Sequence, residues 1–284
     1  MLRMRGRTLL ACIVGSGLST AAYAADLPVY TKAPPPVYSW TGFYVGGNVG
    51  YSWGNSDSTV SFIDSKTGAT LYSADQGFAL DGVIGGAQFG YNYQIKNWVL
   101  GIEADIQASG EKGQTTQTCP GGPTGGSLNG LCVEGGDSTG FGSPVPDTLS
   151  EAINWFGTLR ARVGPTVTPT LLPYVTGGLA YGEISTTDTV SAINLGGNNP
   201  PGVPVSASYS NSTTKVGWTA GAGLEGVISG RWTAKIEYLY MDLGNVSGAF
   251  STPIIAPSGG LVSTSYNSHI TDNILRVGVN YRFW

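Results

Sequence analysis

The chain has 284 residues, 44 of them glycine, with 11% charged side chains and a formal net charge of −4. Aromatics at 11% without a strict glycine period exclude collagen and disorder. An acidic balance argues against a nucleic-acid partner, and no segment past the leader approaches the ~20 apolar residues of a membrane helix.

Arg3, Arg5 and Arg7 form a positive start, Thr8 to Leu18 a short apolar run, and Ala22-Tyr23-Ala24 a small-x-small cleavage site. Residues 1–24 therefore read as a secretory signal peptide. A lipoprotein box at Cys12 is the weaker reading, because the apolar run continues past that cysteine. Removing a leader that holds three of the 14 basic residues and none of the 18 acidic ones leaves a net charge of −7. Residues 25–41 are Pro-rich and are expected to be an extended periplasmic linker, outside any core.

From residue 42 onward eight segments alternate apolar and polar with the two-residue period of a strand. Their apolar faces begin with Phe43 to Trp53, Val83 to Tyr93, Trp98 to Ile106 and Trp155 to Val163. Val175 to Tyr181, Val216 to Ile228, Trp232 to Tyr240 and Leu275 to Phe283 complete the set. Each is about the 9–11 residues that a tilted strand needs to cross a bilayer. Tight connections fall near Gln94–Asn97, Gly164–Leu171 and Ser229–Arg231, and they alternate with long ones near 54–81, 110–151, 186–214 and 244–272. Tyr and Trp gather at the strand ends, where interfacial girdles belong.

The expected fold is all-β, an eight-stranded antiparallel transmembrane β-barrel over residues 42–284. Short periplasmic turns, long external loops and an outer-membrane location go with it. The alternative is a soluble eight-stranded barrel of lipocalin type with the apolar faces inward. The signal peptide, aromatic ends and loop asymmetry favour the membrane.

In an exported chain Cys119 and Cys132 are expected to form a local disulfide in an external loop; two free thiols are the alternative. His269, the single histidine, is the only candidate base. Ser268 and His269 are adjacent and point to opposite faces of a strand, so they are poorly placed as nucleophile and base, even with Asp272 nearby. No motif supports haem ligation by His269 or Tyr266. No enzyme activity, metal or cofactor is expected.

The polar faces carry Glu103, Asp105, Glu225 and Glu237 against Arg160, Arg162, Lys235, Arg276 and Arg282. An eight-stranded barrel is just filled by its side chains. Near-balanced charge in so narrow a lumen favours a salt-bridged plug over a selective pore, which would be lined by one sign. A narrow channel with water threading between the pairs is the rival. With Ser229-Gly230-Arg231 as the turn, Ile228 faces Trp232, Gly226 faces Ala234, and Glu225 is expected opposite Lys235 inside the barrel.

Three stretches resemble a known family: Ala25-Asp26-Leu27-Pro28, the opening strand WTGFYVGGNVGY over 40–51, and the closing RVGVNYRF over 276–283. The chain is similar to the small porin-like surface antigens of alphaproteobacterial outer membranes. The resemblance implies an outer-membrane barrel serving as a structural or surface-exposed envelope component. Outer-membrane lipid and lipopolysaccharide would surround it, with barrel-assembly machinery and periplasmic chaperones as export partners. Some members are described as haemin binders. Such chains usually end on Phe, and Trp284 here would shift the assembly signal by one position.

Overall fold

The computed structural model describes residues 38–119, 145–194, 203–255 and 260–283. The leader, Cys132 and Trp284 fall outside these residues, so the cleavage site, the expected disulfide and the terminal aromatic do too. Eight strands follow in order: β1 (Gly42–Asp64), β2 (Thr70–Ile95), β3 (Trp98–Cys119) and β4 (Val145–Pro165), then β5 (Leu171–Asn194), β6 (Val203–Ser229), β7 (Trp232–Ile255) and β8 (Leu261–Arg282). Each pairs antiparallel with the next, and β8 closes the ring on β1 from Tyr44↔Arg282 to Asp64↔Val262.

The tight turns lie where the sequence places them, with two corrections; the β2–β3 turn is Lys96 and Asn97 alone, because Ile95 faces Trp98. The β6–β7 turn has two residues, Gly230 and Arg231, because Ser229 faces Trp232. Gly230 takes φ +53°, which a two-residue hairpin requires and glycine allows without strain. A register shift between Val227 and Ser229 absorbs the odd residue, so Gly226 still faces Ala234 and Glu225 still faces Lys235.

The strands are 21 to 27 residues long, about twice what a bilayer crossing needs. Most of the described residues in the expected long loops are strand. The reason is a reversal of polarity partway up the strands, clearest on β1, β2 and β7. On β1 the outward face runs Phe43, Val45, Val49, Tyr51, Trp53 and then Asn55, Asp57, Thr59, Ser61, while the inward face passes from Asn48, Ser52 and Ser56 to buried Val60 and Phe62. The alternation continues, but apolar and polar exchange sides. A 23-residue strand at ~3.3 Å per residue and a tilt of about 40° rises roughly 58 Å, about twice the ~25 Å apolar band. The lower half faces lipid; the upper half stands outside it.

Hydroxyl pairs hold the outward face of the upper half. Ser61–Ser73 (2.9 Å), Thr116–Thr148 (3.0 Å), Thr187–Ser210 (3.2 Å) and Thr189–Ser208 (3.0 Å) are cross-strand rungs. Inside, Val60, Leu80, Leu149, Ile153, Phe156, Ile184, Leu239, Met241, Ile270 and Ile274 pack as one core. The ladder also changes here. The β2–β3 pairing stops at Asp81↔Lys112, and the β6–β7 pairing stops at Trp218↔Asp242. Above those points the ladders group the strands as two four-stranded sheets, β7–β8–β1–β2 and β3–β4–β5–β6, around the apolar core.

The linker expectation also needs correction at its end. Trp40 is fully buried, packed with Val99, Leu172 and Tyr174 inside the periplasmic mouth. Its indole donates to the Pro169 carbonyl (3.2 Å), and its backbone N–H donates to Gln94 Oε1 (2.8 Å). Proline content marks a chain as extended; it does not stop an aromatic beside it from filling an apolar mouth.

The polarity reversal sets a measurable contrast. Val277→Arg, in the lipid-facing band, should lower the unfolding free energy in liposomes by about 2–4 kcal/mol. Thr187→Arg, outward in the upper half, should change it by less than about 1 kcal/mol. Equal losses at the two positions would place both in lipid and remove the boundary.

Candidate functional site

The lower lumen holds a compact network of charges. Glu103 and Asp105 on β3, Arg160 and Arg162 on β4, Glu225 on β6, Lys235 and Glu237 on β7 and Arg276 on β8 all point inward and are buried. Their two-residue spacing along each strand is what puts both members of a pair on the lumen side.

Glu103 is the centre. It accepts from Arg160 (2.6 Å), from Lys235 (2.8 and 3.0 Å) and from the Tyr44 hydroxyl (2.7 Å). Asp105 accepts from Arg160 and Arg276 (2.9 Å each) and from Thr158 (2.8 Å). Glu237 accepts from Arg276 Nε (2.7 Å) and Tyr174 (2.9 Å), with Arg160 Nη1 at 3.0 Å. Glu225 accepts from Arg162 (2.9 Å), Thr233 (2.6 Å) and Asn280 (2.9 Å). Four carboxylates thus meet four cations, and each carboxylate is held by several bonds from different strands, which is the condition for burying charge without a large penalty.

The expected facing of Glu225 and Lys235 holds in the backbone, yet the side chains part company. Lys235 reaches across the lumen to Glu103, while Glu225 turns to Arg162. Adjacent strands place Cα atoms together, but in a narrow barrel the far wall is equally close to a long side chain. Arg282 also departs from the expected set. It donates to the backbone carbonyls of Ser39 (2.6 Å) and Thr41 (3.2 Å) and lies over the rings of Tyr38 and Trp40 at 4.8 and 5.5 Å. It is a clasp on the N-terminal strap, apart from the network.

Sequence reading missed the neutral partners. Arg162 sits between the rings of Tyr44 (4.8 Å) and Tyr174 (5.1 Å) and donates to Asn92 (2.9 Å). Inward glycines are the signal that was available. A Cβ on Gly101 would come within 3.1 Å of Arg162 Cγ, and one on Gly223 within 2.6 Å of the Tyr174 ring. Bulky inward groups need glycine across from them.

Above the network the inward face carries buried apolar side chains, among them Phe156, Leu239 and Ile274. Higher still come buried acids. Glu151 accepts from Ser56 (2.6 Å), and Asp272 accepts from Ser52. Asp147 and Asp188 are diagonal neighbours across the β4–β5 ladder, and among the described residues no donor reaches their oxygens. Burial raises both, Asp188 to about 9, with the neighbouring carboxyl adding to the shift at Asp188.

The remaining candidates are scattered. His269 is outward and exposed, with Nδ1 2.7 Å from Asn245 Oδ1. Ser268, Tyr266 and Asp272 are inward and buried. Ser268 bonds Ser58 (2.6 Å). The strand wall therefore separates the histidine from both the serine and the tyrosine.

Residues 9–283 match the model of the outer membrane protein beta-barrel domain. The chain belongs to that family. It is 34% identical over 284 residues to the 31 kDa outer-membrane immunogenic protein of Brucella melitensis, covering 98% of this chain and 100% of that one. It is 28% identical to the 22 kDa outer membrane protein of Rhizobium leguminosarum, with 87% and 80% covered. Among solved structures it is similar to the outer membrane protein OprG of Pseudomonas aeruginosa at 13% identity and a TM-score of 0.42, covering 85% of this chain and 97% of that one. The family membership and these alphaproteobacterial relatives agree with the resemblance in the opening and closing strands, and they place the protein in the outer membrane.

The network predicts a coupling pattern. Lys235→Met should lower the unfolding free energy by about 3–5 kcal/mol, since it strips a buried carboxylate of one cation. In double-mutant cycles, Lys235→Met with Glu103→Gln should show a coupling of about 1–3 kcal/mol, and Lys235→Met with Glu225→Gln less than about 0.5 kcal/mol. Larger coupling to Glu225 would mean that the lysine bonds its ladder neighbour.

The upper acids predict a pH effect. A carboxyl raised in the folded state binds its proton more tightly there than in the unfolded chain. Its contribution is full below the unfolded value of about 4 and fades as pH rises towards about 9. The unfolding midpoint should therefore fall between pH 5 and pH 9, and Asp188→Asn should flatten that fall. An unchanged slope in the variant would remove Asp188 as its source.

Proposed function

We propose that this protein is a surface-exposed structural component of the outer envelope whose lumen does not pass solutes. One observation carries the reading: the lumen is filled at two successive levels, first by the cross-bonded charge network and then by an apolar layer that includes Phe156, Leu239 and Ile274. A selective pore needs a continuous wet path lined by one sign of charge. Balanced charges bonded to one another leave none, and an apolar layer above them resists wetting. The two-level seal favours the plugged lumen over the narrow porin.

The strand extension supports surface exposure. It lifts the external tips of the hairpins well clear of the lipid band, where other molecules meet them. The name of the Brucella relatives, immunogenic proteins, fits a role in which the outer tips are presented. A non-enzymatic reading is supported by the separation of His269 from Ser268 across the strand wall. The lipid-facing band and the polar upper half also suit contact with outer-membrane lipid and lipopolysaccharide.

Single-channel recording on protein refolded into planar bilayers tests the proposal. The expected trace stays at the noise level. Arg160→Ala with Phe156→Ala, which thins both levels, should raise conductance. Conductance in the unaltered protein, suppressed by Gly178→Trp on the lumen face, would establish the porin reading instead.

A further inference from the structure

The upper edges of β6 and β7 form an open seam. Among the described residues no ladder pair joins 206–216 of β6 to 244–251 of β7, although β6 is paired along this length with β5 and β7 with β8. The break has a local cause. The β7–β8 register shifts between Asp242 and Gly244, Gly244 takes φ +73°, and its N–H donates to Asp242 Oδ1 (2.8 Å). A bulge of this kind bends a strand and ends its pairing, and Asp242 is also the last residue of β7 that pairs with β6.

Sheet edges are normally guarded by charge, proline or a bulge along their length. Along β6 from Ser206 to Thr214 there is neither a charged residue nor a proline; Lys215 stands at the foot of that edge, and on β7 the guard is the bulge at Asp242 and Gly244, with no charge or proline from Asn245 to Ser251. On the inward side Tyr209 and Phe250 stack across the seam, ring centroids 5.5 Å apart and nearly parallel. On the outward side lie small hydroxyl residues such as Ser208, Ser210 and Ser247.

We propose that this seam is a docking site for an extended segment of another polypeptide, which adds to the edge of β6 as a further strand. An unguarded strand edge recognises another main chain, through N–H and C=O groups at the two-residue period. The incoming strand is uncharged. It alternates apolar residues, set against Tyr209 and Phe250, with small or polar ones beside the outward serines. A second upright copy of the barrel fits poorly. Facing strands of two barrels in one membrane cross at about twice the ~40° tilt, so their edges meet at a point. A free segment follows the tilt of β6.

The test uses the full chain in lipid nanodiscs and a synthetic peptide copying residues 245–252, the stretch that would lie on β6 if the ladder continued. In the protein alone, amides of 206–216 that face the seam should exchange with solvent rapidly. At about 1 mM peptide they should slow at least tenfold. Backbone N-methylation of the peptide at alternate residues should weaken binding by tenfold or more. So should Ser208→Lys with Ser210→Lys, which guard the edge while leaving the lumen untouched. Slow exchange at 206–216 before peptide is added would show that the ladder is closed. No protection with peptide, or equal binding of the N-methylated peptide, would show that the edge recognises no strand. Each of these overturns the proposal.

Discussion

Lipid offers no hydrogen-bond partner to a backbone N–H or C=O, and the architecture of this chain follows from that constraint. Within the apolar band every strand is laddered on both sides, and β8 meets β1 without a gap. Above the band water is available, and the requirement lapses. There the β2–β3 and β6–β7 ladders stop, at Asp81 and at Trp218, close to the last outward aromatics of the belt. Closure is complete where lipid demands it and is relaxed where it does not. The same boundary reverses which face is apolar on strands such as β1, β2 and β7, because water now lies outside and a packed core within.

The interior below the boundary faces the opposite difficulty. With the apolar face given to lipid, the inward residues are polar, and an eight-stranded lumen is too narrow to hydrate them freely. Paired charges solve this if every carboxylate has several donors. Glu103 draws on β1, β4 and β7, and Glu237 on β4, β5 and β8. The bonds thus tie strands that the ladder does not make neighbours. The network is a cross-brace as well as a filling, which is why a substitution at Lys235 is expected to act on the whole barrel.

Much of this was legible in the residues. The eight apolar faces, the three tight turns and the inward placement of Glu103, Arg160 and Lys235 follow from a two-residue period and the positions of Gly, Pro and aromatics. The register at Glu225 and Lys235 was reachable by counting from a turn, even with the turn one residue too long. What was not legible depends on distance through space. Which cation Lys235 chooses is set by the width of the lumen, and no ladder count contains that width. Trp40 was hidden by the prolines before it. The upper strands were hidden by their own polarity, since Thr59, Ser61, Thr187 and Ser210 read as loop to an eye looking for apolar outward faces. Alternation of hydroxyls with Val60 and Phe62 was the available sign.

The N- and C-terminal strands meet at the periplasmic rim in a way that follows from the same geometry. Arg282 is the last inward residue of β8, below the level at which carboxylates are available. Its guanidinium is instead satisfied by two backbone carbonyls and two aromatic faces of the strap that precedes β1. Those carbonyls are free to accept because residues 39–41 precede the β1 ladder. Trp40 in turn is held from the β4–β5 turn through the Pro169 carbonyl and from β2 through Gln94. The strap can therefore settle only when β2, the β4–β5 turn and β8 are all in place. Burying Trp40 reports a completed ring, and it packs with Val99, Leu172 and Tyr174 beneath the charge network.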